Sequence, residues 1–186
     1  MWKKLGRIFN PEEHKLTKNY VGFAKSPQPL VFDSFVRVYF SCIESDEKDK
    51  YTSRVFYADF DKLNFKLLKV SQNEVSALGG LGAFDEHGIF PFSVFNDGNR
   101  LLAYTTGWSR RHSVSVETAI GLVESKDNGN TFQKIANGPI LNASINEPFL
   151  VCDGFVKKYG KQYKMWYIHG TKWLHNETSG VPERVY

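Results

Sequence analysis

Two carboxylates stand at matching points of a repeating pattern. Asp85 precedes Tyr104 by 19 residues, and Glu147 precedes Tyr167 by 20. Each leads into a short apolar run, Ile89-Phe90-Pro91 after the first and Pro148-Phe149-Leu150 after the second. If the repeats are arranged about an axis, acids at equivalent positions point into one pocket. Cleavage of a glycosidic bond needs such a pair, one carboxylic acid to protonate the leaving oxygen and one carboxylate to activate water or attack. The acid needs a raised pKa, for which Phe84 and Phe149 are candidate apolar neighbours. Either carboxylate could instead satisfy backbone amides where a loop becomes a strand, and Glu86 could take the part of Asp85.

Other side chains could hold a sugar around that pair. Trp108 and Trp173 end strand-like runs in successive repeats, where an indole face can stack on the C–H face of a ring or pack between sheets. His169 could hydrogen-bond a sugar or tune Glu147, or be a satisfied buried histidine. Arg37 alternates with Val36 and Val38, so it either pairs with a pocket acid or faces solvent. His87, Arg110, Arg111 and His112 are weaker candidates in loops of unknown direction. No zinc-ligand spacing, phosphate-binding glycine loop or serine elbow is present, so no metal or other cofactor is expected.

The elements that would position these residues are strands. Aromatics make up 15% of the 186 residues, with 15 Phe, 9 Tyr and 4 Trp, a composition that favours sheets over helices. Residues 1–25 have no clear period apart from Asn10-Pro11-Glu12-Glu13, which suits the cap and first turn of a short helix. From Gln28 onward the chain reads PLVF, turn, FVRVYFSC, the charged loop 45–50, SRVFYADF, turn, FKLLKV: a four-stranded antiparallel meander. The pattern restarts with IFPFSVF, the turn Asn96 to Asn99, RLLAYTTGW, a polar loop, TAIGLVES and TFQKI. A third round begins at CDGFVKKY and QYKMWYIHG. Tyr39, Tyr104 and Tyr167 occupy the same point of the three second strands, 65 and 63 residues apart. Four-stranded units at a near-constant interval predict β-propeller blades, with a β-sandwich as the alternative. Ser125-Lys126-Asp127-Asn128-Gly129-Asn130-Thr131-Phe132 fits the Asp-box turn, whose aspartate is structural.

Composition narrows the partners. A net charge of +4, with basic residues scattered, gives no stripe for nucleic acid. No run approaches the ~18 apolar residues of a membrane span, and no signal-peptide core is seen, so a cytoplasmic protein is expected. Cys42 and Cys152 read as two reduced, buried thiols.

The segments SPQPLVFDSFVRVYFSC, GAFDEHGIFPFSVF, IGLVESKDNGNTF, NGPILNASINEPFLV and MWYIHGTKW, in this order, resemble a bacterial glycosidase-like family. That family is related to the five-bladed propellers of the arabinanase, β-fructosidase and mannoside-phosphorylase type. The resemblance covers the chain from about Ser26. It implies an all-β propeller acting on a carbohydrate substrate, with Glu147 as the general acid and Asp85 as base or pKa modulator. The first repeat departs from the pattern, because Ser26-Pro27-Gln28-Pro29 offers no carboxylate. Three repeats fill the chain, so the expectation is a single partial propeller domain over 1–186. Its blades lie at about 26–70, about 88–135 and from about 147, completed by a missing C-terminal segment or a second chain. A carbohydrate-binding propeller without turnover, and an interaction scaffold with open sheet edges, are the alternatives.

Overall fold

A computed structural model describes residues 4–46, 50–98 and 100–186. Parts of the expected loop at 45–50, of the turn at 96–99 and of the N-terminus lie outside the described residues. Among the described residues the chain is all-β, with one 3-10 turn at Pro11–Glu13 and no α-helix. Asn10 flanks that turn without a side-chain cap bond to its backbone; its amide donates to Glu13 instead.

The strands are β1 (Tyr20–Val31), β2 (Phe35–Ser45), β3 (Tyr51–Asp61), β4 (Leu67–Val70), β5 (Gly88–Asn96), β6 (Leu101–Arg110), β7 (Val116–Ser125), β8 (Gln133–Lys134), β9 (Val151–Tyr159), β10 (Gln162–His169), β11 (Lys172–His175) and β12 (Pro182–Val185). β1 to β4 form one antiparallel meander and β5 to β8 a second. The two touch through a parallel bridge between Ser53 and Gly88. β9 and β10 form a hairpin, and β11 and β12 a further one beyond the last run that patterning picked out. β1 also starts at Tyr20, well before the apolar run at Gln28, because register shifts let a Gly- and Pro-containing segment remain paired.

Aromatic and β-branched residues at alternate positions put one face of each meander into a shared core. Tyr39, Val55, Tyr57, Val75, Ile89, Phe92, Ala103, Val123 and Phe132 are all buried together. The Tyr39 ring lies 5.5 Å from Phe92 and 5.8 Å from Phe132, the latter edge-on. Each fully buried Val, Ile or Phe among them contributes roughly 1.5–3 kcal/mol. A second cluster, with Phe40, Cys42, Phe56 and Phe60, is covered by Leu16 and Phe9 from the N-terminal segment.

The repeated tyrosine of the first meander has a specific task. Tyr39 Oη donates to the carbonyl of Gly129, 2.8 Å away in the turn 125–132 of the second meander. Within that turn Asp127 accepts from the amide and hydroxyl of Thr131 and from Ser125. Burial alone would push the Asp127 carboxyl up, but these bonds outweigh it and hold it below its usual range. The turn thus anchors one meander on the other.

Candidate functional site

Strand register brings one end of every unit together. Gly88, at the start of β5, pairs with Trp108 near the end of β6, and Trp108 pairs with Thr118 near the start of β7. The Ser53–Gly88 bridge sets the start of β3 beside them. Thr118 Oγ1 donates to the carbonyl of Val151 at 3.0 Å, and the Asp153 amide donates to Thr106 Oγ1 at 2.7 Å, which seats the start of β9 at the same end.

Two hollows open there and share Val116. The larger, about 490 Å3, lies between the loop 111–117 and the approach to β9, with Phe149 and Trp173 on its walls. Its charged lining is committed, since Arg111 pairs with Glu117 at 2.7 Å. The smaller, about 230 Å3, is lined by Lys25, Ser53, Phe90, Trp108, Thr118 and Arg184 among others. Its floor depends on a glycine. A Cβ on Gly88 would collide with Ser53 Oγ and the Trp108 indole nitrogen, the two atoms that form a 2.8 Å hydrogen bond across that point. His87 stacks on the outer indole face at 5.9 Å.

The residues expected from the sequence fall into different places. Trp108 and Trp173 are half-buried and line the smaller and larger hollow respectively. Glu147 is half-buried in a tight turn closed by paired backbone bonds with Ser144, next to Pro148 on the larger hollow. Tyr167 Oη donates to Glu147 Oε1 at 2.8 Å, and this bond is the main reason the Tyr167 phenol is pushed above its usual range. His169 pairs with Val151 across β9–β10, and its Nδ1 is shielded from water with no hydrogen-bond partner among the described residues.

Asp85 does not face this end of the molecule's hollows. It is 1% exposed and folded onto Gly107 of β6, where only the absence of a Cβ lets Phe84 and Asp85 approach. Lys134 Nζ lies 2.6 Å from Oδ2, an ion pair, while neither carboxylate oxygen accepts a well-aligned hydrogen bond among the described residues. The pair fixes the loop 79–87 whose last residue stacks on Trp108, so Asp85 acts on the site through that loop. Glu86 turns back to accept from the Gly82 amide in the same loop.

Arg37 likewise has another task. It is 3% exposed and donates through one edge of its guanidinium to Asp59, Nε to Oδ1 at 2.7 Å and Nη2 to Oδ2 at 2.8 Å. Its remaining nitrogen donates to the Asn128 carbonyl, and the guanidinium lies 3.7 Å from the Tyr57 ring centre. It holds the turn 125–132 together with Tyr39.

The repeat carried a signal that spacing of acids alone did not use. Lys25, Phe90 and Asp153 each precede their repeat's tyrosine by 14 residues. Each also lies at a break in the register of β1, β5 or β9. Such bulges re-aim a side chain. Lys25 Nζ sits 5.5 Å from the Phe90 ring centre. Asp153 takes a left-handed φ of 58°, and desolvation pushes its carboxyl up, with Arg184 pulling it back.

With this geometry in view, comparisons with known proteins bear on the fold. No family model matches the chain. Two uncharacterized proteins of Mycobacterium tuberculosis, Rv1502 and MT1551, are each 27% identical to it over 172 residues, 92% of this chain and 56% of theirs. The chain spans little more than half the length of these curated relatives. Among solved structures, a glycoside hydrolase superposes with a TM-score of 0.61 at 13% identity, over 90% of this chain and 55% of that one. A glycosyl hydrolase from Bacteroides ovatus gives 0.59 at 12%, over 87% and 51%. An N-acetylgalactosamine deacetylase from F. plautii, solved with blood group B trisaccharide, gives 0.58 at 13%, over 84% and 44%. The chain has the all-β fold of glycoside-hydrolase structures. No helix among the described residues is long and apolar enough to cross a membrane.

Proposed function

We propose that β1–β4, β5–β8 and the β9–β10 hairpin are successive blades of a propeller of the five-bladed glycoside-hydrolase type, and that the cleft at their shared end takes a glycan. The observation that carries this reading is the convergence of Trp108 and Trp173 on adjoining hollows at the end where β5 and β9 begin, with Glu147 next in the chain to Pro148 of the larger one. Indole faces supply flat apolar surface for sugar rings, and Glu147 supplies a carboxylate one residue before Pro148 of the larger hollow.

In this proposal bond cleavage uses Glu147 together with Asp153, which replaces Asp85 as the second carboxylate. Asp153 suits the proton donor, because partial desolvation raises its carboxyl's pKa and so keeps a proton available for a leaving oxygen, while its exposed side leaves it open to substrate. Glu147, held by the Tyr167 hydroxyl, suits the partner that activates water. Asp85 remains a positioning residue through Lys134.

The test is turnover of aryl glycosides and oligosaccharides by the wild-type chain, alongside calorimetric binding. Glu147→Gln and Asp153→Asn each abolish turnover and keep binding if the reading holds. Turnover that survives Glu147→Gln refutes the assignment of the base. A second reading is carbohydrate binding without hydrolysis, favoured by the burial of Asp85 under Lys134. Wild-type binding with no turnover of any glycoside selects it.

A further inference from the structure

The smaller hollow has a charge that neutral-sugar binding leaves unused. Two cations line it, Lys25 from the register break in β1 and Arg184 from β12, and no carboxylate among the described residues does. Among the described residues neither makes an ion pair. Each instead lies near aromatic rings, Lys25 between Phe23 and Phe90 and Arg184 over Tyr186. The acid whose charge reaches Arg184 is Asp153, which does not line the hollow. The lining itself therefore carries two positive charges and, among the described residues, no negative one.

The remaining walls are suited to a sugar ring. Trp108 and Phe90 supply apolar faces, Ser53 and Thr118 carry hydroxyls, and about 230 Å3 is small beside a drug-sized pocket. Ser53 and Thr118 are themselves bonded to Trp108 and Val151, so the lining is held in place before a ligand arrives. A cationic hollow with an indole wall and fixed hydroxyls discriminates by charge on a ring-sized ligand.

We propose that this hollow is an anion-selective subsite that receives a monosaccharide unit bearing a negative charge, its acidic group lying between Lys25 and Arg184. A hexuronate carboxylate and a sugar phosphate or sulfate share this chemistry, and the inference rests on the glycan-binding reading of the cleft.

The experiment is calorimetry on the full 186-residue chain at low salt. The methyl glycosides of glucuronic and galacturonic acid are compared with those of glucose and galactose, with glucose 6-phosphate and inorganic sulfate as further arms. An acidic sugar is expected to bind at least about tenfold more tightly than its neutral counterpart, a gain that one charge-assisted contact supplies. Lys25→Met is expected to erase most of that preference, and Arg184→Met, at an exposed residue, to do so without loss of the fold. The better-binding arm, uronate or phosphate, identifies the acidic group. Equal binding of neutral and acidic sugars, or a preference unchanged in both variants, overturns the inference and leaves the glycan reading standing. Sulfate alone binding as tightly as any sugar also overturns it. Failure of every sugar, acidic or neutral, overturns both.

Discussion

Replacing Arg37 separates a structural from a ligand-binding role. The guanidinium is bound on two sides by Asp59, and the side chains of the pair are 4% and 8% exposed. Arg37→Met leaves the Asp59 carboxylate buried without its counter-charge, and removing one partner of a buried pair costs about 3–5 kcal/mol. Loss of the bond to the Asn128 carbonyl adds about 0.5–1.5 kcal/mol. Loss of the guanidinium over Tyr57 adds a further ~0.5–2 kcal/mol. Against a total stability of about 5–15 kcal/mol for a domain, the variant should be close to unfolding. Arg37→Lys keeps the charge but not the planar fork, and should fall between wild type and Arg37→Met. The double variant Arg37→Met/Asp59→Leu removes both charges, and such replacements are often neutral, so it should recover most of the pair's cost. Urea unfolding of these proteins and of Asp59→Leu, followed by fluorescence with linear extrapolation, gives the stabilities that close a double-mutant cycle. A cost below about 1 kcal/mol for Arg37→Met would be that of a surface pair and would refute the argument. So would a double variant no more stable than the single.

Three further outcomes are expected. Asp127→Ala, in an exposed turn, should cost about 1 kcal/mol after allowance for solvent screening. Because its folded pKa lies below the unfolded value, the contribution of Asp127 is complete above about pH 4 and lost as pH falls through the folded pKa, so the wild-type and Asp127→Ala curves should converge in acid. Lys134→Met should destabilise by roughly 3–5 kcal/mol, whereas Lys134→Met/Asp85→Leu should recover much of it, as read by thermal or urea unfolding. Burial pushes the Cys42 thiol up to about 12 and the Cys152 thiol up to about 11, so iodoacetamide at pH 8 should label neither in the folded chain and both in urea. Rapid labelling of Cys152 alone would show that the start of β9 detaches from β6 and β7.

The strands were legible because their information is local. Aromatic and β-branched runs such as FVRVYFSC and SRVFYADF in the first meander and IFPFSVF in the second, with turn residues between the strands, set the two meanders without reference to anything distant in the chain. The tyrosine interval was legible for the same reason, yet the identical residue does different work in each unit. Tyr39 is buried and clamps the turn 125–132, whereas Tyr167 is partly exposed and meets Glu147. Arg37 shows where locality fails. Its place between Val36 and Val38 assigns a face, but its fate is decided by Asp59, 22 residues on, and Asn128, 91 residues on.

The two acids make the same point about the site. Asp85 and Glu147 sit almost equally far from their tyrosines, so spacing treated them alike. The chain leading to them differs. Before Asp85 the linker sends Val75 into the core and lays the loop 79–87 across Gly107, which carries the carboxylate under Lys134. Before Glu147 the chain closes a turn with Ser144, and the carboxylate meets the Tyr167 hydroxyl instead of an ion-pair partner among the described residues. What the repeat conserves is a backbone event, the register break 14 residues before each tyrosine. Lys25, Phe90 and Asp153 occupy it with a cation, an aromatic and an acid, so no residue-type motif could expose it. Of the three, Lys25 and Phe90 line the smaller hollow while Asp153 lies outside its lining, so equivalent positions in the repeat mark where the backbone turns a side chain and not one kind of chemistry.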